Sequence, residues 1–499
     1  MSDDRALRQS YDDLPYETRA RRKTHPDTLA TIATLFGLEP PAVNAARVLE
    51  IGCGTGENLV AIAGALPDAA CTGIDLSARQ IAMARDLAVA AGVENAEFHV
   101  RDFGDPERTE EPFDYVIAHG VLSWIPPDRH RDLLDRCSRA LAPGGLLYLS
   151  YNALPGWHQR RIVRDHLLRA VDGIRDADAR VRAARDSLTQ MADIVGEPES
   201  SYGRLIREER DNALKLGDSY LAHDLLETYN TAFYFDDAVS MARDHDLHFV
   251  AEAAFEAMVP DTYPGAIADA LKTIPGLHDR EQALDFLINR TFRESIFCKS
   301  RQAAASPQLP RLARVLYAAR LQRKPGPSDG ESVVYQDVGG REIAMAPGSA
   351  QQAIDTLSQR FPEALTFEEI VASLAVPELD QQGIVGLINA LFVLYSRGFV
   401  SLHSVRPGVV ALPGKRPRAP GLARAQCVRG SRVTTALLEN LEIDDPDCRL
   451  LLPLLDGTRD IPALAAALPP DSEIKPTYRV ATALSKLARV GLIVEQDRP

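Results

Sequence analysis

The chain is poor in paired cysteines, in tryptophan and in basic charge. Its six cysteines (Cys53, Cys71, Cys137, Cys298, Cys427 and Cys448) are scattered through 499 residues with no Cys-x-x-Cys pair. That spacing excludes a disulfide framework and a cysteine-based metal site, and it fits a reducing compartment. No metal is expected. Lys and Arg number 56 against 70 Asp and Glu, a net charge of −14, which argues against a broad basic surface for nucleic acid. No stretch reaches the roughly 18 apolar residues of a membrane span, and the opening Met-Ser-Asp-Asp-Arg carries no apolar signal core. The expectation is a cytoplasmic protein with neither a membrane nor a nucleic-acid partner. A Gly-x-x-x-x-Gly-Lys-Ser/Thr loop is missing, which excludes a P-loop. The length suggests roughly three domains.

What is present centres on Arg47 to Asn58. Val48, Leu49 and Ile51 form a short apolar run suited to a buried parallel strand. Gly52, Gly54 and Gly56 follow, and Asn58 to Ala65 reads as a helix. Strand, glycine turn and helix open a nucleotide-type α/β fold. Charge decides which nucleotide. The dinucleotide pattern sets a pyrophosphate on the helix N-terminus. Here the third glycine comes one place early, and Glu57 fills the slot where that pattern wants a small residue. A carboxylate there repels a pyrophosphate. S-adenosylmethionine has no phosphate and carries a sulfonium, so Glu50 and Glu57 are compatible with it.

The chain then alternates as βαβα. Cys71 to Asp75 reads as the second strand, with an acid at its tip 19 residues beyond Gly56, near the spacing at which an acid meets ribose hydroxyls. Ser77 to Ala91 reads as a Ser77-capped helix. Ala96 to Val100 is the third strand, leading to Asp102 and Phe103, an acceptor and a ring for an adenine. Phe113 to Ala118 and Leu146 to Ser150 are the fourth and fifth strands, with His119-Gly-Val-Leu-Ser-Trp124 and Tyr151-Asn152 through Trp157 at their ends. All five tips converge on one crevice. Before the first strand, Ser10 to Tyr16 and His25 form either a cap over the sheet or a lid in which Tyr11, Asp12, Tyr16 or His25 reaches the crevice. Beyond the fifth strand, Ile162 to Val195, Tyr220 to Ala242 and 262–300 read as helical, and Leu247 to Ala251 as a late strand. Pro325 to Gly330 is a linker and Val333 to Ala346 a hairpin turned at Gly339-Gly340. Leu391-x-x-Leu-x-x-x-Gly398 and Leu484-x-x-Leu-x-x-x-Gly491 form a weak repeat, each with a short apolar helix before it. That pattern suggests two winged-helix-like units.

The tips from Glu50 to Gly56, with Asp75 and Asp102, resemble the S-adenosylmethionine-dependent methyltransferases with a seven-stranded Rossmann-like sheet. His119-Gly-Val-x-Ser-Trp-Ile-Pro126 and Ser150-Tyr-Asn-x-x-Pro-Gly-Trp-His158 resemble the bacterial, rickettsial-type protein lysine methyltransferases. The stretches around His223-Asp-Leu-Leu-Glu227 and Asn289-Arg-Thr-Phe-Arg293 resemble their methyltransferase regulatory domain, and Leu454 to Arg459 their C-terminal domain. The resemblance implies an α/β enzyme. Its cofactor domain would span 1–160, with the sheet completed by 218–258. A helical insertion at 161–217 would pair two copies. A regulatory middle domain would cover 218–323, a linker 324–332 and two winged-helix-like units 333–499. The implied cofactor set is Glu50, Gly52, Cys53, Gly54, Gly56, Asn58, Asp75, Leu76, Asp102, Phe103 and His119. His119, Asn152, Tyr151 and Asp12 are the expected catalytic residues, and Tyr11, Trp124 and Trp157 the expected acceptor channel. The implied activity is methyl transfer from S-adenosylmethionine to a protein lysine. A small-molecule methyltransferase and a non-catalytic cofactor-binding regulator are the competing readings.

Overall fold

The computed structural model describes residues 8, 11–12, 15–16, 18–105, 111–195, 200–301, 303–324, 332–375, 379–470 and 474–495. The linker expected at Pro325–Gly330 lies outside them, as do Ser10, Asp13 and Leu14 of the N-terminal segment.

Helix α1 (Pro26–Leu35) precedes the sheet. Its strands are β1 (Arg47–Ile51), β2 (Ala70–Asp75), β3 (Ala96–Val100), β4 (Phe113–Ala118), β5 (Leu141–Ala153), β6 (Ala232–Phe233), β7 (His248–Glu252) and β8 (Phe292–Cys298). The order is β3-β2-β1-β4-β5-β8-β7, with the two residues of β6 added beside β5. Strand β8 runs antiparallel to both neighbours, whereas β1 to β5 are parallel. Helices α2 (Glu57–Ala65), α3 (Ala78–Ala91) and α4 (His130–Ala140) make the crossovers. The seven-stranded Rossmann-like sheet read from the sequence is therefore present. Helix α3 is capped as its sequence predicts, Ser77 Oγ accepting from the Gln80 amide at 3.1 Å.

Between β5 and β6 stand α5 (Gly156–Ala170), α6 (Ala177–Ile194) and α7 (Ser201–Leu216), which share a separate apolar core. Three expectations need correction. Tyr220 to Ala242 is not one helix: β6 interrupts it, and only α8 (Phe235–Arg243) is a regular helix there. Residues 262–300 hold α9 (Gly265–Lys272) and α10 (Leu277–Ile288), but 292–298 is a strand. The arginine and glutamate at 293 and 294 are good helix formers that disguise it. The protein buries Arg293 completely by pairing it. The fifth strand is also longer than expected, because Pro143 to Gly145 is absorbed into it, with Gly144 at φ 81°.

The C-terminal part holds two units; the first starts at Leu316, ahead of the expected 333, and in the second the chain after Gly491 makes, among the described residues, only bridges at Val494 where a short strand was expected. In the first, Leu316–Ala318, Leu365–Thr366 and Ser401–His403 form a three-stranded sheet with helices Ser349–Arg360, Phe367–Ala372 and Gln381–Ser396. In the second, strands Arg432–Thr434 and Asn440–Glu442 stand with helices Gly421–Arg429, Ile461–Ala466 and Pro476–Ala488. Gly398 and Gly491 both end their helices at φ 73°, the left-handed conformation that glycine supplies. The hairpin at 333–345 turns through Gly340 at φ 83°.

Both units grip the segment ahead of β1. Asp27, at the start of α1, holds His403 Nδ1 at 2.7 Å and accepts from the Ser404 amide at 2.6 Å. These contacts hold its carboxyl at about 2 against the opposing push of burial. Asn440 Nδ2 donates to the Ala20 carbonyl at 2.8 Å.

Strand β8 is fixed by Arg293. Its guanidinium donates to Glu252 at 2.7 Å, Glu281 at 3.2 Å, and Asp285 at 2.8 and 2.9 Å. All four side chains are buried, and the guanidinium also lies 4.2 Å from the Phe235 ring centre. Removing one partner from a buried charge cluster strands the others, typically at about 3–5 kcal/mol. Arg293→Ala is therefore expected to lower unfolding free energy by about that amount, measured by urea denaturation followed by circular dichroism.

Candidate active site

The carboxyl ends of the parallel strands enclose a cavity of about 150 Å³. Eleven expected residues line it: Tyr11, Tyr16, Glu50, Gly52, Gly54, Asn58, Asp75, Leu76, Phe103, His119 and Trp124. The glycine loop needs its glycines. Gly52, Gly54 and Gly56 sit at φ 71°, 53° and 80°. A Cβ on Gly54 would meet Thr18 Cγ2 at 2.5 Å, and one on Gly56 would meet Ala84 Cβ at 2.6 Å.

The loop is strapped from outside by residues 18–24, which the sequence alone did not tie to it. The Thr18 amide and hydroxyl meet Thr55 Oγ1 at 3.2 and 2.9 Å. Asn58 Oδ1 accepts from the Arg21 amide at 2.9 Å and from Thr24 Oγ1 at 3.1 Å, while its Nδ2 donates to Glu50 Oε1 at 2.8 Å. The strap brings Arg19 and Arg21 to the cavity wall. Glu57 faces away from the cavity lining, with Thr434 Oγ1 at 3.4 Å from its carboxylate.

Asp75 accepts from the Gly54 and Ser77 amides at 3.0 and 2.9 Å, one on each oxygen. Each oxygen keeps acceptor capacity, which suits two vicinal hydroxyls. Burial raises its pKa. Glu50 is 4% exposed, its Oε2 has no partner among the described residues, and burial pushes its carboxyl up to about 7. Asp224, on the same wall, is pushed by burial to about 6. Three desolvated acids around one cavity disfavour a phosphate and favour a cation.

The aromatic wall comes from three distant parts of the chain. Tyr11 stacks on His223 with centroids 5.2 Å apart, and Tyr16 meets the same ring edge-on at 5.3 Å. Trp124 meets Trp157 edge-on at 6.3 Å; Trp124 lines the cavity, and Trp157 is buried behind it with Arg160 at 4.8 Å. His119 Nδ1 lies 3.0 Å from the Tyr148 hydroxyl and 3.2 Å from Ser150 Oγ. Its pKa is driven well below the usual value by burial and then by Arg21, which keeps the ring neutral.

The remaining expected residues sit outside the lining. Cys53 is buried beneath the loop against Gly73. Gly56 packs on α3. Asp102 takes Arg129 at 2.6 Å and the Gly104 amide at 2.6 Å, so it shapes the loop that carries Phe103. Asp12 accepts from the Ser77 hydroxyl at 2.5 Å. Asn152 is buried with its amide on Ser123 Oγ at 2.8 Å, and Tyr151 is buried beside Phe233. His25 caps α1 on the side of Asp27. The sequence reading missed Arg21, Tyr148 and Ser150. Strand alternation was the available signal for Tyr148 and Ser150, since residues two apart share a face.

The Glu50 shift has a definite sign. Its folded pKa lies above the unfolded value, so the fold loses stability as pH rises from about 4.5 to about 7, by up to about 3 kcal/mol. Glu50→Gln keeps an acceptor for Asn58 and removes that penalty. Its melting temperature in the absence of ligand is expected to match the wild type near pH 4 and to exceed it at pH 8, measured by scanning calorimetry.

Family comparison agrees with this geometry. The pattern "Methyltransferase domain" matches residues 48–145, "Predicted methyltransferase regulatory domain" matches 217–299, and "PKMT, C-terminal winged helix domain" matches 415–473. An uncharacterised protein of Rickettsia prowazekii is 35% identical over 288 residues, 58% of this chain and 52% of that one, so the chain spans about half of that relative's length. A second R. prowazekii protein, also uncharacterised, is 31% identical over 47% of this chain and 94% of its own length. The structure of PKMT2 from Rickettsia typhi in complex with AdoHcy has the same fold, with a TM-score of 0.84, 23% identity and coverage of 96% of this chain and 100% of that one. The chain belongs to the rickettsial-type family of S-adenosylmethionine-dependent methyltransferases, in which a methyltransferase domain is joined to a methyltransferase regulatory domain and a C-terminal winged helix.

Proposed function

We propose that this protein transfers a methyl group from S-adenosylmethionine to lysine side chains of a protein. The observation that carries this reading is the composite wall of the cavity. Asp224 stands there with Tyr11, Tyr16 and Trp124, a carboxylate and aromatic rings on the lining that also holds the glycine loop. A carboxylate attracts an ammonium, and aromatic faces hold a cation at about 0.5–2 kcal/mol each. The matched C-terminal pattern and the PKMT2 fold support the same reading.

The residues fit the cofactor. Asp75 has acceptor capacity for the ribose, Phe103 and Leu76 offer an apolar slot for the adenine, and Arg21 suits the amino-acid carboxylate. Glu50 and the turn of Gly52 and Gly54 suit its ammonium end. When bound, the cofactor supplies a sulfonium methyl open to in-line attack. The protein's part is alignment and exclusion of water. An unperturbed lysine costs about 4 kcal/mol to deprotonate at pH 7.5. The aromatic wall reduces that cost by desolvating the ammonium, and neutral His119 is one base on the lining, with Glu50 and Asp224 as the acids there.

The helical insertion exposes Ile194 at 74%, Leu214 at 53% and Leu216 at 51%. We infer that the helical insertion pairs two copies in the cytoplasm, and sedimentation velocity is expected to give a dimer. Among the described residues no helix is long and apolar enough to cross a membrane.

Radiolabelled methyl is expected to pass from S-adenosylmethionine into protein bands of a lysate lacking the enzyme, and to map to lysine side chains. Asp75→Ala should abolish labelling. Asp224→Asn should lower it about 10-fold or more, the worth of one charge-assisted contact, with cofactor affinity retained by calorimetry. Label confined to small molecules would sink the lysine reading.

A further inference from the structure

A chain of hydrogen bonds leads from the cavity to the protein surface through groups that no part of the reading above uses. The Tyr148 hydroxyl donates to Glu294 Oε1 at 2.9 Å. The other carboxylate oxygen of Glu294 pairs with Lys23 Nζ at 2.9 Å. Strand β5 supplies the tyrosine, β8 the glutamate and the N-terminal strap the lysine.

The direction of these bonds fixes the tautomer of His119. The Tyr148 proton is committed to the carboxylate, so only lone pairs face His119 Nδ1 at 3.0 Å. That contact requires a proton on Nδ1. Ser150 Oγ, 3.2 Å from Nδ1, accepts from the Gly120 amide at 2.8 Å and can share the same Nδ1 proton. In a neutral ring Nε2 then holds the lone pair. His119 lines the cavity and is not fully buried.

We propose that Tyr148 and Glu294 are positioning residues that hold His119 as the Nδ1–H tautomer, so that Nε2 accepts the proton of the incoming lysine. This rests on the lysine reading above. In the step, one N–H bond of the ammonium breaks and its electron pair stays on the lysine nitrogen. The Nε2 lone pair forms the new N–H bond, and the positive charge moves to the imidazole ring. Glu294, acting through Tyr148, stabilises that charge. Burial opposes it most, then Arg21 from the strap, and Lys23 offsets part of the Glu294 charge; Glu50 and Asp224 stand on the cavity wall as acids, and Glu252 lies behind Glu294, accepting from its amide at 2.9 Å.

The test has two arms. The first needs no acceptor. Two-bond nitrogen–proton spectra of the full-length protein labelled with ¹⁵N-histidine give the tautomer of His119, assigned by the signal lost in His119→Asn. The wild type is expected to show Nδ1–H, and Tyr148→Phe should move population toward Nε2–H. A wild-type ring protonated on Nε2 overturns the proposal.

The second arm follows label transfer into lysate protein against pH. Glu294→Gln and Tyr148→Phe should each lose about 10- to 100-fold at pH 7. The loss should shrink toward pH 10, where lysine deprotonates without help. The double variant should be no worse than the worse single one, and cofactor affinity should not change. A loss of the same size at every pH means a purely structural role and overturns the proposal. If the wild type labels no protein, the lysine reading fails, and the spectra alone decide the positioning role.

Discussion

Asn58 holds the site together. Its side chain makes three hydrogen bonds, one to Glu50 at the end of the first strand and two to the strap at Arg21 and Thr24. The three left-handed glycines have no side chains to hold the loop, so its shape comes from Thr55 and from neighbours. Asn58 supplies that shape by using both ends of one amide. The strap in turn carries Tyr16, Arg19 and Arg21 to the cavity and Lys23 to Glu294. Asn440 binds the strap at Ala20, and His403 and Ser404 bind Asp27 just beyond it. The C-terminal units thus reach the glycine loop through this segment and, at the loop's end, directly through Thr434 on Glu57. Movement of either unit would be felt at the loop through these bonds.

Much of the site was legible in the sequence, and the boundary of legibility has a physical cause. Gly52, Gly54, Asn58, Asp75 and Phe103 follow from local pattern: an apolar strand, a turn that only glycine can make, an acid at a fixed distance. Each of those inferences spans fewer than about 30 residues of chain and rests on backbone rules. Arg21, Tyr148 and Glu294 could not be found that way. Glu294 meets Tyr148 across 146 residues and Lys23 across 271. Tyr151 illustrates the same limit from the other side. It is three places along the same strand from Tyr148, so alternation turns it to the opposite face. There it packs with Phe233 and Ser295 instead of entering the cavity.

The misread strand β8 shows how a buried charge can hide an element. A segment with arginine and glutamate at its start looks like an exposed helix, because charged groups in cores are rare unless paired. Arg293 is paired with three acids from β7 and α10, and each of those acids was unremarkable alone. Desolvating four charges is costly, and the cluster is weak evidence for added stability. Its consequence is register. The arginine satisfies its partners in only one alignment of β8 against β5 and β7. That alignment sets Glu294 opposite Ser150 and beside Tyr148.

Residues 217–299, matched as a regulatory domain, are therefore part of the catalytic fold itself. They supply β6, β7 and β8, the antiparallel edge of the sheet. They also supply His223 and Asp224, which line the cavity, and Glu294, which orients its histidine. The matched methyltransferase stretch of 48–145 contains the glycine loop and Asp75 but neither the Asp224 wall nor Tyr148. It brings Glu50, Phe103, His119 and Trp124 to the cavity, while Tyr11, Tyr16, His223 and Asp224 come from outside it. Regulation in this chain is better understood as completion of the site. Whatever shifts β8 or the strap changes the tautomer of His119 and the shape of the glycine loop together, because Glu294, Lys23 and Asn58 tie them into one network.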